Sequence, residues 1–130
     1  MRIRVTHGLD DLARDAAKIP ARARADMRKT MRDAAVTGNT VARDNARRTA
    51  GAHGKHYPKA FTWETASYFG YGGGQLLAIW GPDSSRKQGG MSFEHGSRNQ
   101  PPHLDLARSA DLMGPALAGE VSRLPSRWFW

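Results

Sequence analysis

Residues 91–111, MSFEHGSRNQPPHLDLARSAD, crowd an acid, two histidines, an arginine and a double proline into one short span. Glu94, His95, Asn99 and His103 are residue types that hold a divalent ion and activate water in a metal-assisted nuclease. A second pair, His53 and His56, sits in the glycine-containing HGKH stretch and would bring the potential zinc donors to five with Glu94, His95 and His103. Zinc needs three or four such donors in a tetrahedron. The spacing matches neither HExxH nor a cysteine pair, and no second carboxylate stands at a useful distance from Glu94. A simpler role is open to the same residues, with Glu94 and Arg98 pairing across a turn. The GYGGGQ run, residues 70–75, has the glycines of a phosphate cradle but no following Lys-Ser/Thr and no helix to open. No serine lies in a GxSxG elbow. The expectation is a chain with no catalytic constellation, no metal and no cofactor.

The totals narrow the choice further. At 130 residues the chain is expected to form one domain with a thin core, since much of its 39% apolar content is alanine. The absence of cysteine excludes disulfides, thiolate metal sites and a cysteine nucleophile. The opening MRIRVTHGLDD has no apolar stretch of the secretory kind, and no run approaches a membrane span. The net charge is +8, and it is unevenly placed: 14 Lys and Arg face 6 Asp and Glu in residues 1–60, whereas 6 face 6 in residues 61–130. A surplus confined to one half points to an acidic partner surface, either nucleic acid or protein, or else to a solvated basic helix face.

The positioning elements follow from periodicity. RIRVT, residues 2–6, alternates like a short strand. Leu9, Leu12, Ala16 and Ile19 recur at helical spacing, and Asp10 and Asp11 suit a first helical turn. Pro20 either kinks one long helix or opens a second one. Residues 21–50 are rich in alanine and arginine, which favour helix, with Met27, Met31, Ala34, Gly38, Val41 and Asn45 forming a stripe of mostly small residues. Gly38-Asn39 is expected to weaken and bend this helix. After a loop over 51–59, residues 61–69 and 75–80 read as antiparallel strands joined near Gly70 to Gly74. A polar loop, SSRKQGGM, follows. Phe93 to Gly96 begins a short helix or turn, Pro101 and Pro102 force an extended stretch, and His103 to Arg123 reads as a helix with Leu104, Ala107, Ala110, Leu112 and Leu117 inward. Pro125 is expected to draw the last residues off that helix, giving a domain over 1–124 and an aromatic tail over 125–130. The expected fold class is therefore α+β: a small antiparallel sheet packed with a long N-terminal helix and a C-terminal helix.

Two surfaces stand out as candidate contacts. Arg28, Arg32, Arg43 and Arg47 could meet DNA or an acidic partner. Met27, Met31 and Val41 on the small-residue stripe, with Trp128, Phe129 and Trp130 at the end of the chain, are candidate subunit or partner contacts.

Taken together, the order of elements resembles that of the minor tail and tail-completion proteins of long-tailed phages, the HK-ninety-seven gene-product-ten-like family. Gly8 to Ala16 is similar to the family's opening GLDDLARDL-like helix. Ala78 to Asp83 carries its Gly-Pro after a strand. Phe93, Glu94, His95, Gly96 and Ser97 match its turn of aromatic, acid, aromatic or histidine, Gly and Ser or Thr, and Pro101, Pro102, His103 and Leu104 match the Pro-His-Leu-type hinge into its final helix. The resemblance covers about residues 3–122; the short glycine-broken hairpin and the Trp-Phe-Trp ending depart from the family pattern. It implies a non-catalytic virion protein in the neck between capsid connector and tail. Such a protein assembles as a ring, expected to be a hexamer, beside head-closure, connector and tail-terminator or tail-tube proteins, with double-stranded DNA in the channel. It also implies that Glu94, Gly96, Arg98, Pro101, Pro102 and His103 form a structural hinge, Glu94 and Arg98 ordering the turn. The alternative from residue chemistry alone is a basic nucleic-acid-binding module.

Overall fold

The computed structural model describes residues 10–70, 73–98 and 100–129. The elements run α1 (Asp10–Thr49), two single 3-10 turns (Ala52–Gly54 and Pro58–Ala60), β1 (Phe61–Gly70), β2 (Gly73–Pro82), α2 (Ser92–His95) and α3 (Asp105–Phe129). This is the expected α+β arrangement. The strand read at residues 2–6 lies outside the described residues, as does Trp130.

Helix α1 is continuous over 40 residues. Pro20 sits inside it, so the open choice between kink and second helix resolves as one uninterrupted element. An interior proline costs about 3 kcal/mol, which the strong helix formers around it offset. Gly38 does not break the helix either; it makes room. A Cβ at Gly38 would stand 2.5 Å from Cε2 of Trp80, so the indole lies directly on the helix backbone.

The two strands pair antiparallel in one register from Phe61↔Pro82 to Gly70↔Gly73. A two-stranded sheet is barely stable alone, and this one rests one face on α1. Alternation assigns the faces. Trp80 faces the helices, where its Nε1 donates to Ser109 Oγ at 2.9 Å. Its partner Trp63 shares that side, with the Arg32 guanidinium 5.9 Å from its ring centroid. The next pair, Glu64↔Ile79, points the other way, and Ile79 is 42% exposed.

Helix α3 runs antiparallel to α1. One end is marked by Asn45 and Thr49 against Asp105, the other by Asp26, which accepts a 2.7 Å bond from Trp128 Nε1. The buried positions of α3 are Asp105, Ser109, Met113, Leu124 and Trp128. This corrects the expected inward set: Leu104 and Leu112 are exposed, as are Ala107 and Ala110. The expected departure of the chain at Pro125 is also corrected. The helix continues through Pro115 and Pro125 to Phe129, and no separate tail begins at 125. Both prolines and the residues four before them, Asp111 and Val121, are exposed, so water can satisfy the carbonyls the prolines leave without an amide partner.

The core is thin, as its alanine content requires, and falls into two clusters. One joins Ala42, Ala46, Ala50, Tyr57 and Phe61, with Trp80, Phe93 and Leu106 packed on it. The other, among the described residues, joins Ala23, Leu124 and Trp128. Among the described residues no helix is long and apolar enough to cross a membrane.

Candidate functional site

The FEHGS–PPHL segment closes the C-terminal end of α1. Glu94 is 2% exposed. Its Oε2 accepts the Leu106 amide and its Oε1 the Ala107 amide, each at 2.8 Å. These are two of the amides that the first turn of any helix leaves without a partner. Leu104 stands in the capping position, since its carbonyl accepts from Arg108 N–H, but a leucine side chain cannot cap. Glu94 supplies the missing acceptor from twelve residues away and sets a negative charge at the positive end of α3. Leu104 itself is held at φ 56°, a left-handed conformation that costs a side-chain-bearing residue about 1–2 kcal/mol.

The rest of the segment completes this joint. Gly96 has φ 83°, and a Cβ there would fall 2.8 Å from Pro102 N, so glycine is required both by conformation and by space. His103 N–H donates to Phe93 O at 2.8 Å, and Leu104 N–H to Glu94 O. Phe93 stacks on Tyr57 at 4.5 Å and meets the His103 ring edge-on. Arg98 is exposed, and the expected Glu94–Arg98 pair does not form: the buried carboxylate turns inward to the helix end, where two backbone amides hold it more firmly than one solvated guanidinium would.

Beside Glu94, Asp105 is fully buried. Both its oxygens lie 2.9 Å from Thr49 Oγ1, and its backbone carbonyl accepts from Asn45 Nδ2. Burial raises its pKa above the ordinary carboxylate value, opposed by the Thr49 bond and the nearby His103. Its Oδ2 is 3.8 Å from His103 Nδ1, which has no hydrogen-bond partner. The Tyr57 hydroxyl is buried and unpartnered as well; burial, and then the charges of Glu94 and Asp105, push its pKa upward. Neither Tyr57 nor Asp105 stood out in the sequence.

The donors considered for a metal are not brought together. Glu94 is occupied at the helix end, while the backbones of His53 and His56 are tied to the Gln88 side chain. Among the described residues no group of three potential ligands forms. Asn99 lies outside the described residues.

The four candidate arginines separate into different roles. Arg43 turns inward and donates from Nη2 to Phe61 O at 2.9 Å, fastening α1 to the start of β1. Arg47 pairs with Asp44 at the surface, 3.1 Å away. Arg28 and Arg32 remain together with Lys29 on one wall of an open cleft of about 360 Å³ between α1 and the hairpin. Met31, Thr65, Ala66, Ser67, Leu76 and Leu77 complete its lining. Met27 is exposed and Val41 half-buried; Trp128 is buried against Ala23 and Leu124, and Phe129 is 52% exposed. The terminal aromatics therefore divide, Trp128 serving the core and Phe129 facing solvent.

Comparison with protein-family models, with curated proteins and with solved structures returns no match for this chain.

Proposed function

We propose that this chain is a non-enzymatic structural protein of a long-tailed phage, a ring component of the neck that joins the capsid connector to the tail. The observation that carries the reading is the use made of the FEHGS–PPHL segment. The residues on which the family resemblance rests, Glu94, Gly96, Pro102 and His103, are those that build the joint between α1, α2 and α3. Their polar atoms are directed into the fold, as a load-transmitting element requires, and not toward a shared open space. Detection of the chain in purified virions at a copy number near six to twelve, about what a closed cyclic ring supplies, supports this role. Its absence from finished virions overturns it.

The cleft wall of Arg28, Lys29 and Arg32 favours one rival, a basic nucleic-acid-binding module. That reading requires duplex affinity from the isolated chain, falling steeply as salt rises. The neck reading requires no such affinity.

A further inference from the structure

The hairpin leaves two unlike surfaces open, one toward its turn and one toward its open end. The first is the cleft toward α1, whose lining carries three cations, Arg28, Lys29 and Arg32, and no acid, over the apolar Met31, Leu76 and Leu77. The second is a recess at the other end of the hairpin, about 370 Å³, whose lining carries two acids, Glu64 and Asp83, and no cation. Asp83 is engaged at home, accepting from Ser85 N–H and Oγ and facing Arg86 Nε at 4.0 Å, so Glu64 carries the recess's open charge. Among the described residues Glu64 is exposed and takes part in none of the ion pairs. On the same side Ile79 is 42% exposed. Each surface is thus apolar with a charged margin, and the margins are opposite in sign.

We propose that a second copy of this chain joins them: the Glu64–Ile79 side of the hairpin in one copy seats on the Arg28–Lys29–Arg32 cleft of the next. Because the two patches are different parts of the molecule, the contact is head-to-tail. Every copy in such a contact still offers one patch of each kind, so the assembly grows until it closes as a ring. The apolar surfaces supply the attraction, and the charges set orientation and exclude the like-signed pairing. A two-stranded sheet gains cover over the side on which Ile79 is exposed. This interface rests on the ring-forming role proposed above for its setting, and on the charge pattern for its residues.

The test is a charge exchange between copies, read by sedimentation velocity. All three positions, Lys29, Arg32 and Glu64, are exposed, so the variants retain the wild-type circular dichroism. The wild type associates at low salt and comes apart at high salt. Lys29→Glu/Arg32→Glu, which makes the cleft acidic, and Glu64→Lys, which makes the hairpin basic, each weaken self-association by about tenfold or more. An equal mixture of the two variants associates again, because acidic clefts then meet basic hairpins and native clefts meet native hairpins. A wild type that stays monomeric at high micromolar concentration overturns the proposal. So do variants that associate as well as the wild type, or a mixture that fails to recover. None of these results touches the neck reading, which virion copy number decides separately.

Discussion

At the C-terminal end of α1, charge is buried and engaged; along its middle, charge is exposed and the apolar floor beside it is half-covered. At the joint, Glu94 and Asp105 are almost or wholly inaccessible, and their carboxylates are held by Leu106, Ala107 and Thr49. In the cleft, Arg28, Lys29 and Arg32 line a space that no described residue fills. The residue types that invite a catalytic reading are those that folding has already committed. The surface able to meet a partner joins Arg28 and Arg32 to Lys29 and to leucines of the hairpin.

The sharpest way to break this contrast is at Glu94. Glu94→Ala leaves two first-turn amides of α3 without an acceptor and is expected to cost about 2–3 kcal/mol in urea unfolding. Glu94→Gln keeps an acceptor and costs less. A loss near zero would mean that the carboxylate is dispensable and the joint is held by its aromatics alone. Next in size is the helix–sheet seat. Gly38→Ala drives a methyl into the Trp80 ring and is expected to lose about 1–2 kcal/mol despite alanine's better helix propensity. Gly119→Ala meets only the end of the Arg123 side chain at 4.0 Å and is expected to gain up to about 1 kcal/mol. Melting temperatures moving the same way for both would refute the close seat.

The third test uses pH. Burial raises the folded-state pKa of Asp105 above its ordinary 3.8, so the folded state holds that proton more tightly than the unfolded chain. The stabilisation is complete below 3.8 and is lost as pH rises through the raised value. Asp105→Asn removes this dependence. Its melting temperature relative to the parent is therefore expected to improve between acid and neutral pH, and a constant or reversed difference would contradict the assignment. The smallest effect belongs to the cleft: Lys29→Glu is expected to change stability by less than about 0.5 kcal/mol. A larger loss would place Lys29 among the residues that hold the fold.

The main elements were legible because their signals are local. Alanine and arginine declare α1, and glycines flanked by alternating apolar residues declare the hairpin. The apolar face of α3 was not legible. Its buried face is opened by Asp105 and Ser109, which sequence patterns send outward, and they are inside because Thr49 and Trp80 await them. The Trp128–Asp26 bond, which draws the end of α3 onto α1, joins residues 102 apart and leaves no local trace. On α1, alanine is so frequent that neighbouring helical phases look equally apolar; Ala34 and Gly38 of the stripe are buried, but the buried face also takes in Ala35, Asn39, Ala42, Ala46 and Ala50 and leaves Val41 and Asn45 half-buried. The segment 91–111 was legible as a hinge only through resemblance, since Glu94 capping α3 across twelve residues follows no spacing rule. Of the candidate site, the Arg28 and Arg32 wall was visible as charge. Its opposite wall, Thr65, Ser67 and Leu76, required the hairpin's placement.

The Glu94 bonds to α3 also set an order of assembly. They close a loop of twelve residues, whereas the Trp128–Asp26 bond closes one of 102. Closing the longer loop from an open chain costs about 2 kcal/mol more in entropy. The joint is therefore expected to form early and to fix the direction in which α3 leaves it. The two long helices then zip from Asp105 toward Trp128, so the Ala23–Leu124–Trp128 end forms last and opens first. Amide exchange along α3 would record that direction as protection declining from the joint outward.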